Sequence, residues 1–334
     1  MTKFLIAGFG SIGRRHFRNL LALGQKDILF LRSGRSTLDT DELNGYQVET
    51  DLNRALDARP DAVIVANPTA LHLQTAIPAA ETGCHLLLEK PISHSMDGLD
   101  DLQAALQRGG GKALVGYQFR FHPVLRQIKA LLDQNVLGAP ISARAHWGEY
   151  LPDWHPWEDY RASYSARTDL GGGVVVTLSH PLDYLRWFFG DVQAVSARVG
   201  HFSPLEVEVE DCAEMLLQFA RPCQVGVHLD YYQRPPRHQL EILCAEGTIL
   251  WDNASAAAQI WSTRTGKWET LQPPDGFERN DLFLAELSHF IDVVEGRSNP
   301  ICGLDDGRAV MELCEAVFES SRFQRTILVG QGAR

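Results

Sequence analysis

Short apolar runs alternate with amphipathic stretches through the first third of the chain, at a spacing of about thirty residues. The runs at 4–7, 28–31, 62–66, 85–89 and 113–117 are brief, apolar and followed by polar turns, as strands buried on both faces of a parallel sheet require. Between them, 12–23, 69–82 and 95–107 carry apolar residues at helical spacing. Asp51 and Ser95 stand where helix N-caps are expected, and Gly24, Gly83 and Gly109 where a left-handed residue would close a helix. This alternation predicts a doubly wound α/β domain over residues 1–120.

Beyond Pro123 a helical stretch runs to about Leu137 and stops at Gly138. The period then changes to two, with alternating segments at 141–147, 192–199, 213–219, 224–231, 239–244 and 248–251. Helices over 281–294 and 305–323 and a last strand at 326–329 complete the pattern. Residues 121–334 therefore read as a second α/β domain with a large open, mainly antiparallel sheet, its C-terminal helices available to pack back on the first domain. A length of 334 residues with 45% hydrophobic content suits two cores.

A formal net charge of −11 leaves no basic footprint for a nucleic acid, and no apolar stretch approaches the roughly 18 residues of a membrane span. The apolar run after Met1 ends at a glycine turn, so no export segment is expected. Cys84, Cys212, Cys223, Cys244, Cys302 and Cys314 lack C-x-x-C spacing and read as reduced core thiols of a cytoplasmic protein. The 12 histidines include no pair at i, i+4 with an adjacent glutamate, so no metal site is expected.

Gly8-Phe9-Gly10-Ser11-Ile12-Gly13 directly follows the first strand and opens the first helix, the context in which G-x-G-x-x-G binds a dinucleotide. Gly8 permits the tight turn, Gly10 admits the pyrophosphate, and Gly13 lets helix and strand approach, while Ser11 and Ile12 present free N–H groups at the helix N-terminus. An NAD site would place Asp or Glu at the end of the second strand. Here that end reads Arg32-Ser33-Gly34-Arg35, and paired guanidinium groups with a hydroxyl suit a 2′-phosphate. NADP(H) is the preferred cofactor; NAD remains open, because solvated surface arginines give the same pattern.

At the end of the fifth run, Glu89-Lys90-Pro91 sets an ammonium at the carboxyl edge of the sheet, where ligands of doubly wound folds bind. Pro91 restricts the lysine backbone to extended geometry and admits a cis bond. With Asn67-Pro68-Thr69-Ala70-Leu71-His72, Gly116-Tyr117-Gln118-Phe119-Arg120-Phe121-His122-Pro123, and Gly171-Gly172-Gly173 leading to His180-Pro181-Leu182-Asp183, these motifs span most of the chain. In this order they resemble the glucose-fructose oxidoreductase, inositol dehydrogenase and MocA-like (Gfo/Idh/MocA) family of NAD(P)-dependent oxidoreductases.

The resemblance implies a Rossmann domain and a substrate domain whose open sheet commonly forms the contact of a homodimer or homotetramer. It also implies hydride transfer at a carbinol or carbonyl carbon of a sugar, cyclitol or sugar derivative. Lys90 and His180 match the residues beside the reacting carbon, and Asp183 matches a substrate-binding aspartate. Asn67, Pro68, Thr69, His72, Glu89 and Lys90 match the lining of the ribose and nicotinamide end, and Arg120 is carried as a further substrate-side residue. An aspartate common four residues before the histidine is replaced by Val176, with Thr177 beside it. Thr177 either substitutes for the acid or is, like Val176, a β-branched core residue.

Proton exchange in concert with hydride transfer falls to Lys90 or His180, and the residues leave both assignments open. Asp183 follows His180 by about one helical turn and shares its face. Trp154, His155, Trp157, Tyr160 and Arg161 make an aromatic and polar stretch that suits a sugar face, or equally a loop pinned to the core by its tryptophans. Tyr231, Tyr232 and Arg234 form a weaker patch of the same kind. A noncatalytic NADP-binding sensor and a transient-redox eliminating or glycoside-cleaving enzyme with tightly held cofactor are the competing functions.

Overall fold

The computed structural model describes residues 2–34 and 41–330, in two compact units: 1–118 with 278–308, and 119–277 with 309–334. In the first unit the chain runs β1 (Phe4–Ala7), α1 (Ser11–Ala22), β2 (Ile28–Leu31), β3 (Gln47–Glu49), α2 (Leu52–Asp57), β4 (Ala62–Val65), α3 (His72–Glu81), β5 (His85–Leu88), α4 (Leu99–Gly109) and β6 (Ala113–Val115). The strands form one wholly parallel sheet in the order β3-β2-β1-β4-β5-β6. The order reverses direction between β1 and β4, and doubly wound sheets bind ligands outside the carboxyl ends of the strands at such a point. β1 and β4 are buried on both faces, which is why their residues are continuously apolar. α1 packs through Phe17, edge-on to Phe30 of β2 with centroids 5.1 Å apart.

Two caps differ from expectation. Asp51 does cap α2, accepting from Arg54 N at 3.0 Å, but α4 starts at Leu99 after Gly98 rather than at Ser95. At the far end of α4 it is Gly110, with φ 77°, that takes the left-handed position expected of Gly109.

The second unit opens with α5 (Pro123–Asp133) and β7 (Pro140–Gly148), then α6 (Val174–Thr177) and α7 (His180–Phe189). It continues through β8 (Val192–Gly200), β9 (Cys212–Phe219), β10 (Gln224–Asp230), β11 (Arg237–Cys244), β12 (Gly247–Asp252), β13 (Ala257–Ser262) and β14 (Lys267–Leu271). After α8 (Arg279–Val294), α9 (Leu304–Phe323) leads to β15 (Ile327–Leu328). The sheet order is β14-β13-β12-β11-β7-β10-β9-β8-β15, antiparallel except for the parallel pair β7–β10. Alternation follows from one covered and one open face: in β9, Ala213, Met215 and Leu217 are buried while Glu214, Leu216 and Gln218 are exposed.

α8 belongs to the first unit, where Phe290 lies 6.5 Å from Phe4 of β1. All six cysteines are free and buried. Among the described residues no helix is long and apolar enough to cross a membrane.

Candidate active site

The glycine loop follows from backbone crowding. Gly8 has φ +100°, and a Cβ there would lie 2.6 Å from the Ala66 carbonyl oxygen; one on Gly13 would lie 2.1 Å from that of Gly8. Gly10 faces open space, with no atom within 4 Å of where its Cβ would be. No side chain caps α1 and no acid occupies its first turn, so the N–H groups of Ser11 and Ile12 at its start offer an anion site.

At the end of β2 the Arg32 backbone N–H donates to Glu49, and its side-chain Nε is buried without a hydrogen-bond partner. Ser33 is exposed beside it. Arg35 lies outside the described residues. Asn67 donates through Nδ2 to the Leu71 carbonyl (3.3 Å) and Thr75 Oγ1 (3.1 Å), while its buried Oδ1 has no partner. Pro68 and Thr69 begin the short turn into α3, and His72 donates through Nε2 to the Asn67 carbonyl at 2.9 Å. Burial holds His72 below the usual histidine range, against the pull of its bond to Asn67 and of the nearby Glu89. An open glycine cradle, a buried orphan guanidine N–H and a buried orphan amide oxygen along one sheet edge fit a dinucleotide.

Glu89 is buried past the end of β5, and His16, inside α1, donates through Nε2 to its Oε1 at 2.6 Å. Burial alone would raise the Glu89 carboxyl, but the His16 bond and the charges of His16, Lys90 and His72 together hold it below the ordinary glutamate range. The nucleotide helix is thereby tied to the segment bearing Lys90, a contact that motif reading missed. The signal was available: His16 shares the buried stripe of α1 with Gly13, Phe17 and Leu20, where an imidazole needs a polar partner. Lys90 is half-buried, and the Lys90–Pro91 bond is cis.

In the second unit His180 begins α7 with 2% exposure, its ring 5.5 Å from Trp147 and 5.0 Å edge-on from Phe119. One turn on, Asp183 is held by Arg120: Nε reaches its two oxygens at 3.1 and 3.0 Å, and a terminal nitrogen reaches Oδ1 at 2.7 Å. Side-chain exposures of 4% and 1% make this a buried, bidentate pair. Val176 and Thr177 are both buried, and the hydroxyl of the buried Tyr231 donates to the Ser165 carbonyl at 3.4 Å.

The aromatic stretch is split. Trp154 meets the buried Tyr231 edge-on at 5.6 Å, with its indole N–H buried and unpartnered. Trp157 is 67% exposed with His155 beside it at 5.3 Å, and the Tyr160 hydroxyl accepts from Glu206 N at 3.2 Å. Arg161 is neutralised by Asp159 and Glu206, so it offers no open cation to a ligand carboxylate. Of the weaker patch, Tyr231 is core and Arg234 stacks on Tyr150, 4.0 Å from its centroid.

Glu210 had no local signal, because Glu206, Glu208 and Glu210 alternate like a solvated edge. In the fold its carboxylate lies under Gly173, which has φ +116° and where a Cβ would meet it at 2.4 Å; it accepts from Val175 N at 3.1 Å. Burial pushes it up to about 7, with Asp211 adding repulsion. The folded state thus retains a proton that the unfolded chain loses near 4.5, so stability falls as pH rises through 4.5 to about 7 and is level above. Glu210→Gln, which can keep the acceptor without the charge, is expected to stabilise the protein at pH 8 by no more than about 3 kcal/mol and to add little at pH 4.5. Urea unfolding of both proteins at the two pH values checks this; an equal difference at both would refute it.

Residues 2–117 match the oxidoreductase family with an NAD-binding Rossmann fold, and residues 125–250 match the GFO/IDH/MocA C-terminal domain. The chain belongs to this family. It is an NAD-binding oxidoreductase of the kind that acts on CH–OH groups. It is 26% identical to the uncharacterized oxidoreductase YrbE of Bacillus subtilis, over 97% of this chain and 96% of that protein. It is 24% identical to myo-inositol 2-dehydrogenase of Thermotoga maritima, over 96% and 97%. The structure of levoglucosan dehydrogenase in complex with NADH and levoglucosan superposes with a TM-score of 0.88 at 18% identity, covering 99% of this chain and 100% of that one, a likeness of fold.

Proposed function

We propose that this Gfo/Idh/MocA oxidoreductase interconverts a carbinol and a carbonyl on a sugar, cyclitol or sugar derivative, with NADP(H) preferred over NAD(H). The observation that carries the cofactor preference is the buried, unpartnered Nε of Arg32 at the end of β2, where an NAD site would have a carboxylate. The substrate class rests on relatives that act on polyols, such as the myo-inositol enzyme. When bound, the nicotinamide gives or takes the hydride. Gly8, Gly10, Ser11, Ile12 and Gly13 hold the pyrophosphate, Arg32 with Ser33 the adenosine side, and Asn67, Pro68, Thr69, His72 and Glu89 the ribose and nicotinamide side.

A ring nitrogen of His180 exchanges the hydroxyl proton, while Lys90 Nζ hydrogen-bonds the same oxygen and polarises it. Asp183, paired with Arg120, accepts from a neighbouring hydroxyl, and Trp154, His155, Trp157 and Tyr160 cover the substrate. Arg161 serves by holding its loop rather than by touching substrate. The subunits assemble as a homodimer or homotetramer through the open face of the nine-stranded sheet.

Reduction of NADP+ and NAD+ with a panel of sugars and cyclitols tests the reading. NADP+ is expected to give the higher kcat/KM, and Arg32→Asp to move the ratio toward NAD+; an unaltered ratio refutes the assignment of Arg32. Tight cofactor binding without turnover of any compound would favour a sensor. Product release with no net change in nicotinamide absorbance would favour transient redox chemistry.

A further inference from the structure

Spacing along the sequence gave no metal ligands, but strand pairing assembles a set from separate segments. The parallel register of β7 and β10 pairs His146 with His228 and Gly148 with Asp230. The rings of His146 and His228 lie 4.5 Å apart, tilted by 30°. One ligand atom from each of His146, His228 and Asp230 falls within 4.8 Å of the others.

The surroundings are built for these three groups. Asp230 is fully buried, and its Oδ1 accepts from the N–H groups of Tyr232 (2.8 Å) and Gln233 (2.6 Å), which turns Oδ2 toward His228 Nε2 at 2.9 Å. Gly148 makes the room, since a Cβ there would lie 2.1 Å from that Oδ2. Glu214, paired with His228 across β9 and β10, takes the other ring nitrogen at 2.5 Å and fixes the ring orientation. The Gln233 amide oxygen stands 3.1 Å from His146 Nε2. The imidazoles and Glu214 lie on the face proposed above for subunit contact; in the single chain their side chains keep exposures of 21% for His228 and 64% for Glu214, so an ion enters before that contact closes.

We propose that His146, His228 and Asp230 bind a divalent cation of the zinc class on this face. Two imidazoles and one carboxylate form a common donor set for such ions, with bonds of about 2.0–2.2 Å. Tetrahedral donors at those lengths stand about 3.3 Å apart, so the 2.9 Å gap between His228 and Asp230 needs to open by only a few tenths of an ångström. Water or the Gln233 amide oxygen completes the shell. Glu214 supplies the outer carboxylate that metal-bound histidines characteristically carry. The ion takes the place of the proton that His228 shares with Asp230, so binding releases a proton to solvent.

The test uses the whole chain, stripped with a chelator and titrated with Zn2+ and, for its visible d–d absorption, Co2+. One ion per chain is expected, with a raised thermal midpoint on Zn2+ addition, and both effects should vanish in His146→Gln and His228→Gln. Glu214→Gln, at an exposed position with little risk to folding, should weaken binding by about 10–100-fold through the loss of the outer carboxylate. Uptake that survives the double histidine replacement, or Zn2+ affinity unchanged by Glu214→Gln, overturns the assignment.

Discussion

Lys90→Ala is expected to lower kcat by about 10²–10⁴-fold, the range that a positioned proton-transfer group contributes. The residue follows β5 at the carboxyl edge of the parallel sheet, and Glu89 beside it is fixed by His16 from within α1. Truncating the lysine leaves that anchor and the glycine loop in place, so the Kd for NADP(H) should change little. Lys90→Arg separates the two available roles. A guanidinium stays protonated throughout the working range, so it can hydrogen-bond the substrate oxygen but cannot exchange a proton. Recovery of most of the turnover by arginine would leave proton exchange to His180; no recovery, with loss of one limb of the pH–rate profile, would give it to Lys90. Unchanged turnover in Lys90→Ala would remove the residue from the chemistry.

The parts of this molecule that were legible in the sequence are those whose cause is local. Phe4–Ala7, Ile28–Leu31 and the glycine loop announce themselves because a strand buried on both faces must be apolar and a helix packed against a turn must lack side chains. The edge strands β3 and β14 carry no such mark, unlike the edge strand β6, whose three residues are all buried. β3 has three residues with Val48 40% exposed, and β14 is exposed along most of its length, so neither shows an apolar run or an alternation to read. The parallel β7–β10 pair escapes for another reason: alternation reports which face is buried, not which strand lies alongside or in which direction.

The same division holds for the candidate site. Gly8 to Gly13 and Glu89-Lys90-Pro91 are contiguous motifs, whereas Glu210 under Gly173, and His146 beside His228, exist only through pairings between distant segments. His16 is the intermediate case. Its position on the buried stripe of α1 predicts a polar partner without saying which.

The second large effect concerns the pair that joins the Arg120 motif to α7. Asp183→Ala is expected to destabilise the second unit by about 3–5 kcal/mol, because it strands a guanidinium that cannot lose its proton at a position 4% exposed. Urea unfolding followed by far-UV circular dichroism measures the loss; a change below about 1 kcal/mol would mean that water reaches Arg120 and that the pair is not closed. The double replacement Arg120→Met with Asp183→Leu removes both charges at similar volume and should recover most of the stability, since a buried pair replaced whole by apolar groups is often neutral. That double variant also decides what the pair is for. If Asp183 accepts a substrate hydroxyl, the refolded double variant keeps its cofactor affinity but loses kcat/KM; if the pair only ties the motif to the helix bearing His180, stability and turnover return together.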